Sequence, residues 1–349
     1  MSRSTSRIIT IAVAALMFVL PPAGGAIAAA DPIVDTGAWL AGARSPNGSY
    51  ADTVDVHDDR HLTIHVYSAA MMHTFPVQVQ RPADTSQPRP VLYLLNGAGG
   101  GVDGAQWGLG TDVLEFLAPE NINVVSPIGG AFSYYTDWKQ ADPVLGLNKW
   151  KTFLTEELPP IIDAGLGTNG DNAIAGLSSS ATAVLALAES APSLYKSVAS
   201  YSGCAQTSDP LGRRFVKVTV ETWGGGDILN MYGPPDDPMW VENDPYVHAE
   251  KLRGLSLYIS TGNGLPGQYE TPNNPMAVPG PYGLSNQIVV GGVIEAAMNY
   301  CTHNLQNRLN ELGIPATFHL RNTGTHSWGY WQDDLKDSWP VMAQPLRGL

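Results

Sequence analysis

Charged side chains are scarce in this chain of 349 residues, and cationic ones are the scarcest. Lys and Arg together number 19 against 32 Asp and Glu, charged residues make up 15% of the chain, and the formal net charge is −13. An acidic surface is repelled by phosphate backbones and by anionic lipid headgroups. We therefore expect no nucleic-acid partner and no electrostatic binding to anionic membranes.

Long hydrophobic runs are also missing, apart from one near the amino terminus. Ile8–Leu20 is shorter than the roughly twenty apolar residues that cross a bilayer. Arg3 and Arg7 precede it and Ala28–Ala30 follows, which is the pattern of a secretory signal peptide with its cleavage site. We expect residues 1–30 to be removed on export, leaving no transmembrane anchor. The formal charge then goes from −13 to −15, because this segment carries two arginines and no acid.

Cysteine is nearly absent, since Cys204 and Cys301 are the two in the chain. In an exported protein, one disulfide between them is favoured over two buried thiols. The part that remains after export, residues 31–349, has the length of one large domain with a full core. Glycine and proline are frequent, at 37 and 27 residues, so we expect long loops between short elements.

Strand patterns alternate with helix patterns along this domain. Apolar or alternating runs predict strands at Leu62–Tyr67, Phe75–Val79, Pro90–Leu95, Val124–Pro127, Asn172–Ala175, Ser197–Ser202, Leu255–Ser260 and Ala316–Leu320. Helical spacing predicts helices at Asp112–Leu117, at Trp150–Ile162 with Pro159 and Pro160 bending or ending it, from Ala181 onward, and at Asn286–Leu312. The first two strands are expected to form an antiparallel edge pair after an irregular segment, Asp31–Asp59. The whole predicts a mostly parallel sheet with helices on both faces.

One stretch indicates chemistry. Asn172–Ala175 is a strand pattern, Gly176–Ser180 is a turn of small residues, and a buried helix pattern starts at Ala181. Strand, sharp turn with a central serine and buried helix form the nucleophile elbow of an α/β-hydrolase fold. Ser178 is the candidate nucleophile, and Ser180 stands where the motif has its second glycine.

A serine nucleophile needs a histidine base and a carboxylate that orients it. In this fold the histidine follows the last strand, which favours His326 over the other downstream histidines, His248, His303 and His319. For the acid, Glu270 follows the strand Leu255–Ser260, the ordinary location, and Glu295 lies on the next helix pattern. Spacing alone leaves both open.

An acyl-transfer site also needs backbone N–H groups that stabilise the oxyanion. Ser179 supplies one, and Ala98 in the glycine-rich loop Asn96–Gly101 is the most plausible second donor. No Gly-Lys-Ser/Thr follows that loop, so it is not a phosphate loop. The histidines between His57 and His65 lack a known ligand spacing. We expect no metal and no cofactor. The long segment Ala205–Gly254 is expected to cover the active site.

Several stretches together resemble the mycolyltransferases of mycolic-acid-containing actinobacteria, the antigen 85 group and its corynebacterial and rhodococcal relatives. They follow the family's order from about residue 62 to 335 and comprise Val91–Gly97, Ser133–Trp138, Lys149–Pro159, Gly176–Ser178, Met231–Pro234, Asn243–Pro245, Gly262–Gly264 and Gly324–Trp328.

The resemblance implies a Ser178–Glu295–His326 triad, with Glu295 chosen over Glu270 because the family's glutamate lies on the helix. It also implies oxyanion donors at Ala98 and Ser179 and a sugar pocket lined by Trp328. It implies transfer of a mycolyl group from trehalose monomycolate through an acyl-serine to a second trehalose monomycolate or to cell-wall arabinogalactan. The expected location is therefore outside the cell or in the cell wall.

This chain departs from the family in three places. Asn96 and the following glycines stand where the family has an aspartate and an arginine that contact trehalose, so Asn96 is the candidate contact here. Thr261 replaces a family cysteine, and the Cys204–Cys301 pair is not the antigen 85 pattern. The alternatives are a secreted carboxylesterase with the same triad and a non-catalytic relative that binds the cell wall.

Overall fold

The computed structural model describes residues 40, 42–276 and 280–349, so the expected signal peptide lies outside the described residues. Nine strands form one sheet: β1 Tyr50–Val56, β2 His61–Ser68, β3 His73–Gln80, β4 Val91–Leu95, β5 Asn123–Pro127, β6 Asn172–Leu177, β7 Tyr195–Tyr201, β8 Ser256–Thr261 and β9 Thr317–Leu320. Their order in the sheet is β1-β2-β3-β5-β4-β6-β7-β8-β9. Pairing from β5 through β9 is parallel, and β1 to β3 form an antiparallel extension that joins at β5.

Helices cover both faces of this sheet, as predicted for an α/β-hydrolase fold. They are α1 Trp107–Gly110, α2 Val113–Leu117, α3 Trp150–Thr152, α4 Leu158–Leu166, α5 Ser179–Ser190, α6 Pro210–Lys217, α7 Ile228–Met231, α8 Met239–Glu242, α9 Gly280–Asn286, α10 Gly292–Glu311 and α11 Trp328–Ala343. Alternate residues of β4 explain the layering. Tyr93 and Leu95 pack into the apolar layer that contains α4 and α5, and Leu92 and Leu94 into the layer that contains α2 and α11.

The antiparallel extension differs from the prediction. Tyr50–Val56 lies in the segment expected to be irregular, yet it pairs with β2 from Tyr50–Tyr67 to Val56–Leu62. The β2–β3 pair is therefore not at the edge, because β1 covers one side and β3 pairs with β5 on the other. The hydrophobic residues of β1, Tyr50, Ala51, Val54 and Val56, do not alternate regularly, so the strand is fixed by its partner rather than by its own pattern.

Pro159 and Pro160 do not end this helix, and that they bend it stays a prediction. A π-helical turn, Phe153–Glu157, follows α3, and both prolines then lie in the first turn of α4, which continues to Leu166. Backbone N–H groups in a first turn have no partner within their helix, so proline costs little there.

The segment Ala205–Gly254 contains α6, α7 and α8 but no strand. Its apolar side chains surround the buried Trp138 in a separate small core with Val216, Val220, Met231, Tyr232 and Trp240. That this segment covers the substrate stays a prediction. Among the described residues, no helix is long and apolar enough to cross a membrane.

The predicted disulfide is confirmed. Cys204 and Cys301 are bonded, with a Cα–Cα distance of 4.9 Å. The bond ties the loop after β7 to the middle of α10, the helix that carries Glu295.

Candidate active site

Ser178 lies at the turn between β6 and α5 in a backbone conformation that only a sharp turn imposes. Its φ is 58° and its ψ is −125°, and a residue other than glycine pays about 1–3 kcal/mol there. The turn is tight because a β-carbon added at Gly176 would lie 2.7 Å from the carbonyl oxygen of Ser180. The hydroxyl of Ser180 donates to the carbonyl of Leu177 at 2.8 Å, so the serine in place of the second glycine helps to hold the turn.

The structure brings the three predicted triad residues together in one hydrogen-bonded chain. The Ser178 hydroxyl lies 2.8 Å from Nε2 of His326, and Nδ1 of His326 lies 2.7 Å from Oε2 of Glu295. His326 is in the loop after β9, and Glu295 is in the first turn of α10 with no exposed surface. The strained serine thus faces the imidazole of His326, whose other nitrogen meets a buried carboxylate.

The second oxygen of Glu295 has its own donors, which the sequence did not predict. Oε1 accepts from the hydroxyls of Ser202 at 2.7 Å and Thr261 at 2.9 Å, and from the backbone N–H of Gly262 at 2.6 Å. Ser202 and Thr261 follow or end β7 and β8, so both arrive at the same edge of the sheet as the elbow. The sequence signal that could have found Ser202 and Thr261 is their position at or just after the carboxyl end of a predicted strand.

Two further side chains hold this group. The indole of Trp331 donates to Ser202 Oγ at 3.1 Å, and its ring lies edge-on to His326 with centroids 4.9 Å apart. Arg321 places Nη2 4.0 Å from Glu295 Oε1 and bonds the fully buried Asp334 through Nη1. Burial acts to lower the pKa of Arg321, but Asp334 and then Glu295 raise it overall, so the guanidinium stays charged.

Glu270, the alternative acid, does not contact the imidazole. One of its oxygens accepts from Thr325 Oγ1 and Gln287 Nε2, both at 2.6 Å. The other accepts from the Tyr330 hydroxyl at 2.7 Å and from the Gly267 N–H at 2.6 Å. Burial acts to raise the pKa of Glu270, but these donors, Thr325 first, lower it overall. Glu270 thereby fixes the residue before His326.

The glycine-rich loop lies beside the nucleophile. A β-carbon added at Gly97 would lie 3.9 Å from Cβ of Ser178. Among the described residues, the backbone N–H groups of Ala98 and Ser179 donate no hydrogen bond, whereas the carbonyl of Ala98 accepts from the N–H of Phe132 at 2.6 Å. Both N–H groups are therefore free for an oxyanion, and that role stays a prediction.

Comparison with known proteins assigns the chain to a family. A family model described as "Putative esterase" matches residues 68–341. The diacylglycerol acyltransferase/mycolyltransferase Ag85B of Mycobacterium leprae is 31% identical over 295 residues, which is 82% of this chain and 84% of that protein. The chain belongs to the Ag85 family. Ag85A of Mycobacterium tuberculosis is 30% identical over 81% of this chain and 80% of its own length.

Solved structures agree on the fold. The crystal structure of Mycobacterium tuberculosis MPT51 (FbpC1) matches with a TM-score of 0.68 at 24% identity, covering 83% of this chain and 100% of that one. The Staphylococcus aureus fluorophosphonate-binding serine hydrolase FphF matches with a TM-score of 0.60 at 14% identity, covering 81% of this chain and 97% of that one. The Ag85 family member described here thus has the α/β-hydrolase fold.

The two sugar contacts predicted for this Ag85 family member differ in position. Trp328 begins α11 and is half-buried, edge-on to Trp107 and Trp331 at centroid distances of 5.5 and 5.3 Å. Asn96 has no exposed surface, and its Oδ1 accepts from the backbone N–H of Trp107 at 3.2 Å. Among the described residues, the Nδ2 of Asn96 has no hydrogen-bond partner, and the expectation that Asn96 contacts sugar stays a prediction.

The other histidines have ordinary partners. His57 bonds Thr63, His61 bonds Asp58 and His65 bonds Asp55, each at 2.8 Å, so the three rings do not converge. His319 is on β9, 3.1 Å from the Tyr258 hydroxyl. Within the described ranges, no group of three or more His, Cys, Asp or Glu side chains is arranged to hold a metal ion.

Proposed function

We propose that this protein is an exported serine acyltransferase that moves mycolyl groups from trehalose monomycolate to a second trehalose monomycolate or to cell-wall arabinogalactan. The observation that carries the proposal is the chain Ser178–His326–Glu295 at a strained elbow, in a member of the Ag85 family. The names of these relatives state acyltransferase and mycolyltransferase activity, which supports the same class of reaction here.

The proposed first step forms an acyl-serine. Glu295 accepts a hydrogen bond from the Nδ1–H of His326 and so holds the tautomer whose lone pair is on Nε2, and that lone pair takes the Ser178 proton. The Ser178 oxygen attacks the ester carbonyl, and the N–H groups of Ala98 and Ser179 stabilise the oxyanion. When the intermediate collapses, the sugar oxygen leaves and takes the proton from His326.

The second step runs in reverse with a new hydroxyl. The acceptor hydroxyl gives its proton to His326 and attacks the acyl-serine, which restores Ser178 and releases the new ester. Water at the same position would give a free acid. Transfer therefore depends on acceptor binding and exclusion of water, which we assign to the pocket beside Trp328 and to the segment Ala205–Gly254.

A secreted carboxylesterase with the same triad is the second candidate. The observation that favours it is the complete burial of Asn96, whose Oδ1 already accepts from the N–H of Trp107. A non-catalytic relative that binds the cell wall is the weaker alternative, because it would have no need of an intact hydrogen-bonded triad. Export and residence in the cell wall belong to the proposal as well: export is supported by the pattern of residues 1–30, and residence in the cell wall by the family.

The test is incubation of the purified mature protein with trehalose monomycolate, alone and with added trehalose, and lipid analysis by mass spectrometry. Trehalose dimycolate that forms with the wild type and is lost in Ser178→Ala supports the transferase. Free mycolic acid as the sole product supports the esterase. A diacylglycerol acceptor is a further arm, since the relatives carry that name. Wild-type protein that neither turns over the lipid nor reacts with a fluorophosphonate contradicts both enzymes.

A further inference from the structure

A cavity of about 210 Å³ lies between α1 and the sheet, over β2, β3 and β5. Among the described residues that line it, none is Asp, Glu, Lys or Arg, in a chain whose formal net charge is −13. Its polar lining consists of amide, hydroxyl and imidazole groups, chiefly from His61, Thr63, Gln78, Gln80, Gln106 and Ser126. A cavity of this composition suits an uncharged ligand that forms several hydrogen bonds.

The strand register explains why these polar side chains lie together. Thr63 of β2 is paired with Gln78 of β3, and Gln78 is paired with Ser126 of β5, so the three form a row across the sheet. In the next row, His61 is paired with Gln80. The opposite face of the same strands is apolar and belongs to the main core. The polar rows therefore lie outside that core, on the side where α1 covers the sheet.

Helix α1 closes the cavity and is itself held in place. The side chain of Gln106, the residue before α1, accepts from Gln78 Nε2 at 3.1 Å and donates to the carbonyl of Gly101 at 2.7 Å. Trp107 is 1% exposed and donates its indole N–H to the carbonyl of Leu95 at 2.9 Å. The cavity is therefore formed before any ligand binds, which lowers the cost of binding.

Several polar atoms in the cavity keep hydrogen-bonding capacity for a ligand. Within the described part of the chain, Oε1 of Gln78 accepts no hydrogen bond, and Nε2 of Gln106 donates only one. The Ser126 hydroxyl donates to the carbonyl of Leu94 at 2.7 Å, which leaves its lone pairs available. An unused acceptor, an unused donor and a hydroxyl thus line one small space. Ligand hydroxyls, which both donate and accept, match all three.

Two other classes of uncharged ligand fit the cavity less well. A peptide that adds to a sheet needs a free strand edge, but β2, β3 and β5 each pair with a strand on both sides. A nucleobase needs an open aromatic face for stacking, but Trp107, the one Phe, Tyr or Trp among the described lining residues, is buried. A sugar needs neither, because its hydroxyls bind polar groups and its C–H groups pack on aliphatic side chains such as Leu109, which is 74% exposed.

The cavity shares α1 with the pocket predicted beside Trp328. Trp107 and Leu109 of α1 line the cavity, whereas a β-carbon added at Gly110, the last residue of α1, would lie 3.2 Å from the Trp328 ring. The rings of Trp107 and Trp328 are in edge contact, with centroids 5.5 Å apart. Neither a triad residue nor a predicted oxyanion donor is among the described lining residues. The cavity is thus a neighbour of the candidate active site and not a part of it.

We propose that this cavity binds one uncharged sugar ring, as a binding site separate from the triad. Its volume lies below the roughly 300–1,000 Å³ of sites for drug-sized ligands, which fits a single ring. The inference goes beyond the proposed function, since it requires no chemistry at Ser178. Trehalose and the glycan chains of a cell wall are two sources of such a ring, and the test has an arm for each.

The test is an NMR titration of the mature chain, labelled with ¹⁵N in its glutamine side chains, with trehalose in one arm and arabinogalactan oligosaccharides in the other. The side-chain NH₂ signal of Gln78, assigned by its absence in Gln78→Leu, should shift and saturate. The signal of Gln87, assigned in the same way from Gln87→Leu, is the matched control, because Gln87 is exposed and does not line the cavity. Thr63→Val removes one hydroxyl at nearly the same shape and should weaken the Kd about fivefold.

A saturable shift of Gln78 in either arm, weakened in Thr63→Val, supports the proposal, and the arm that gives it names the source of the sugar. No saturable shift in either arm overturns the proposal. So does a Kd that Thr63→Val leaves unchanged, or a shift of Gln87 as large as that of Gln78. None of these results bears on the proposed enzyme, which is tested separately by the reaction of Ser178 with a fluorophosphonate and by the lipid products.

Discussion

Two glutamates lie at the candidate site, and both are surrounded by hydrogen-bond donors. Glu295 sits on a helix, is fully buried and gives one oxygen to the His326 ring and the other to three donors. Glu270 sits on a loop and receives four donors, none of them the imidazole. The two carboxylates hold different parts of the loop that carries His326. Glu295 contacts the imidazole ring, and Glu270 holds the preceding part of the loop through the Thr325 hydroxyl.

This comparison separates orienting a reacting group from building the loop that carries it. A carboxylate on the ring fixes the tautomer and stabilises the imidazolium that forms during catalysis. A carboxylate that hydrogen-bonds only neighbouring residues affects the reaction rate only through the position of the histidine. Substitutions at the two positions should therefore differ in size and in kind.

The largest effect is expected for Glu295→Gln. The amide keeps the shape but can present its NH₂ to Nδ1, which favours the wrong tautomer of His326, and kcat should fall by about 10⁴. The measurement is kcat for p-nitrophenyl butyrate together with the rate of fluorophosphonate labelling. Glu311→Gln on the same helix is the control, since its side chain is 69% exposed. A loss below tenfold would mean that Glu295 does not orient His326.

A smaller effect is expected for Glu270→Gln. The amide nitrogen would face donors, so at least one charge-assisted bond is lost, at a cost of about 2 kcal/mol in the free energy of unfolding. The activity should fall about tenfold as the loop before His326 loosens, a geometric effect much smaller than tautomer loss. Chemical denaturation and kcat measure the two. A loss of activity as large as that of Glu295→Gln, with unchanged stability, would contradict the division of roles.

The contribution of Glu270 to the free energy of unfolding should depend on pH. Its pKa is lowered in the folded state from an ordinary value of 4.5. The stabilisation from its ionised form is therefore fully present above that value and is lost as the pH falls through the lower folded-state pKa. The difference in free energy of unfolding between wild type and Glu270→Gln should narrow below pH 4.5, as read from denaturation curves at several pH values. A difference that stays constant there would refute the assignment.

Much of the site could be predicted because it depends on order along the chain. The elbow at Gly176–Ser180 is local, and His326 follows the last strand as the fold requires. Choosing between Glu270 and Glu295 was different, because spacing in sequence does not tell which side of a helix faces a loop more than twenty residues later; family resemblance made that choice.

What could not be predicted is set by tertiary partners. The polar strand Tyr50–Val56 forms because β2 offers it an edge, and the π-helical turn Phe153–Glu157 places two prolines where they cost little. Asn96 is buried where its Oδ1 accepts a hydrogen bond from the backbone N–H of Trp107. None of these partners lies within the window of a local pattern.

Arg321 places its guanidinium beside Glu295, the glutamate that holds the imidazole. Nη2 is 4.0 Å from Glu295 Oε1, and the other charged or titratable groups near Arg321 include Asp334, Tyr258, His319 and Tyr330. Removing the positive charge in Arg321→Met leaves the negative potential of Glu295 and Asp334 uncompensated at His326. A more negative surrounding favours the protonated imidazole, which cannot act as a base.

The acid limb of the pH profile of kcat/KM should therefore move to higher pH in Arg321→Met. We expect a shift of about half a unit, because solvent still screens this partly buried charge. Arg321→Lys is the matched control, because it keeps the charge and should leave the limb close to that of the wild type. A purely structural Arg321 would lower stability in both variants and move the limb in neither. An equal shift of the limb in both variants would contradict the charge effect, because Arg321→Lys keeps the charge.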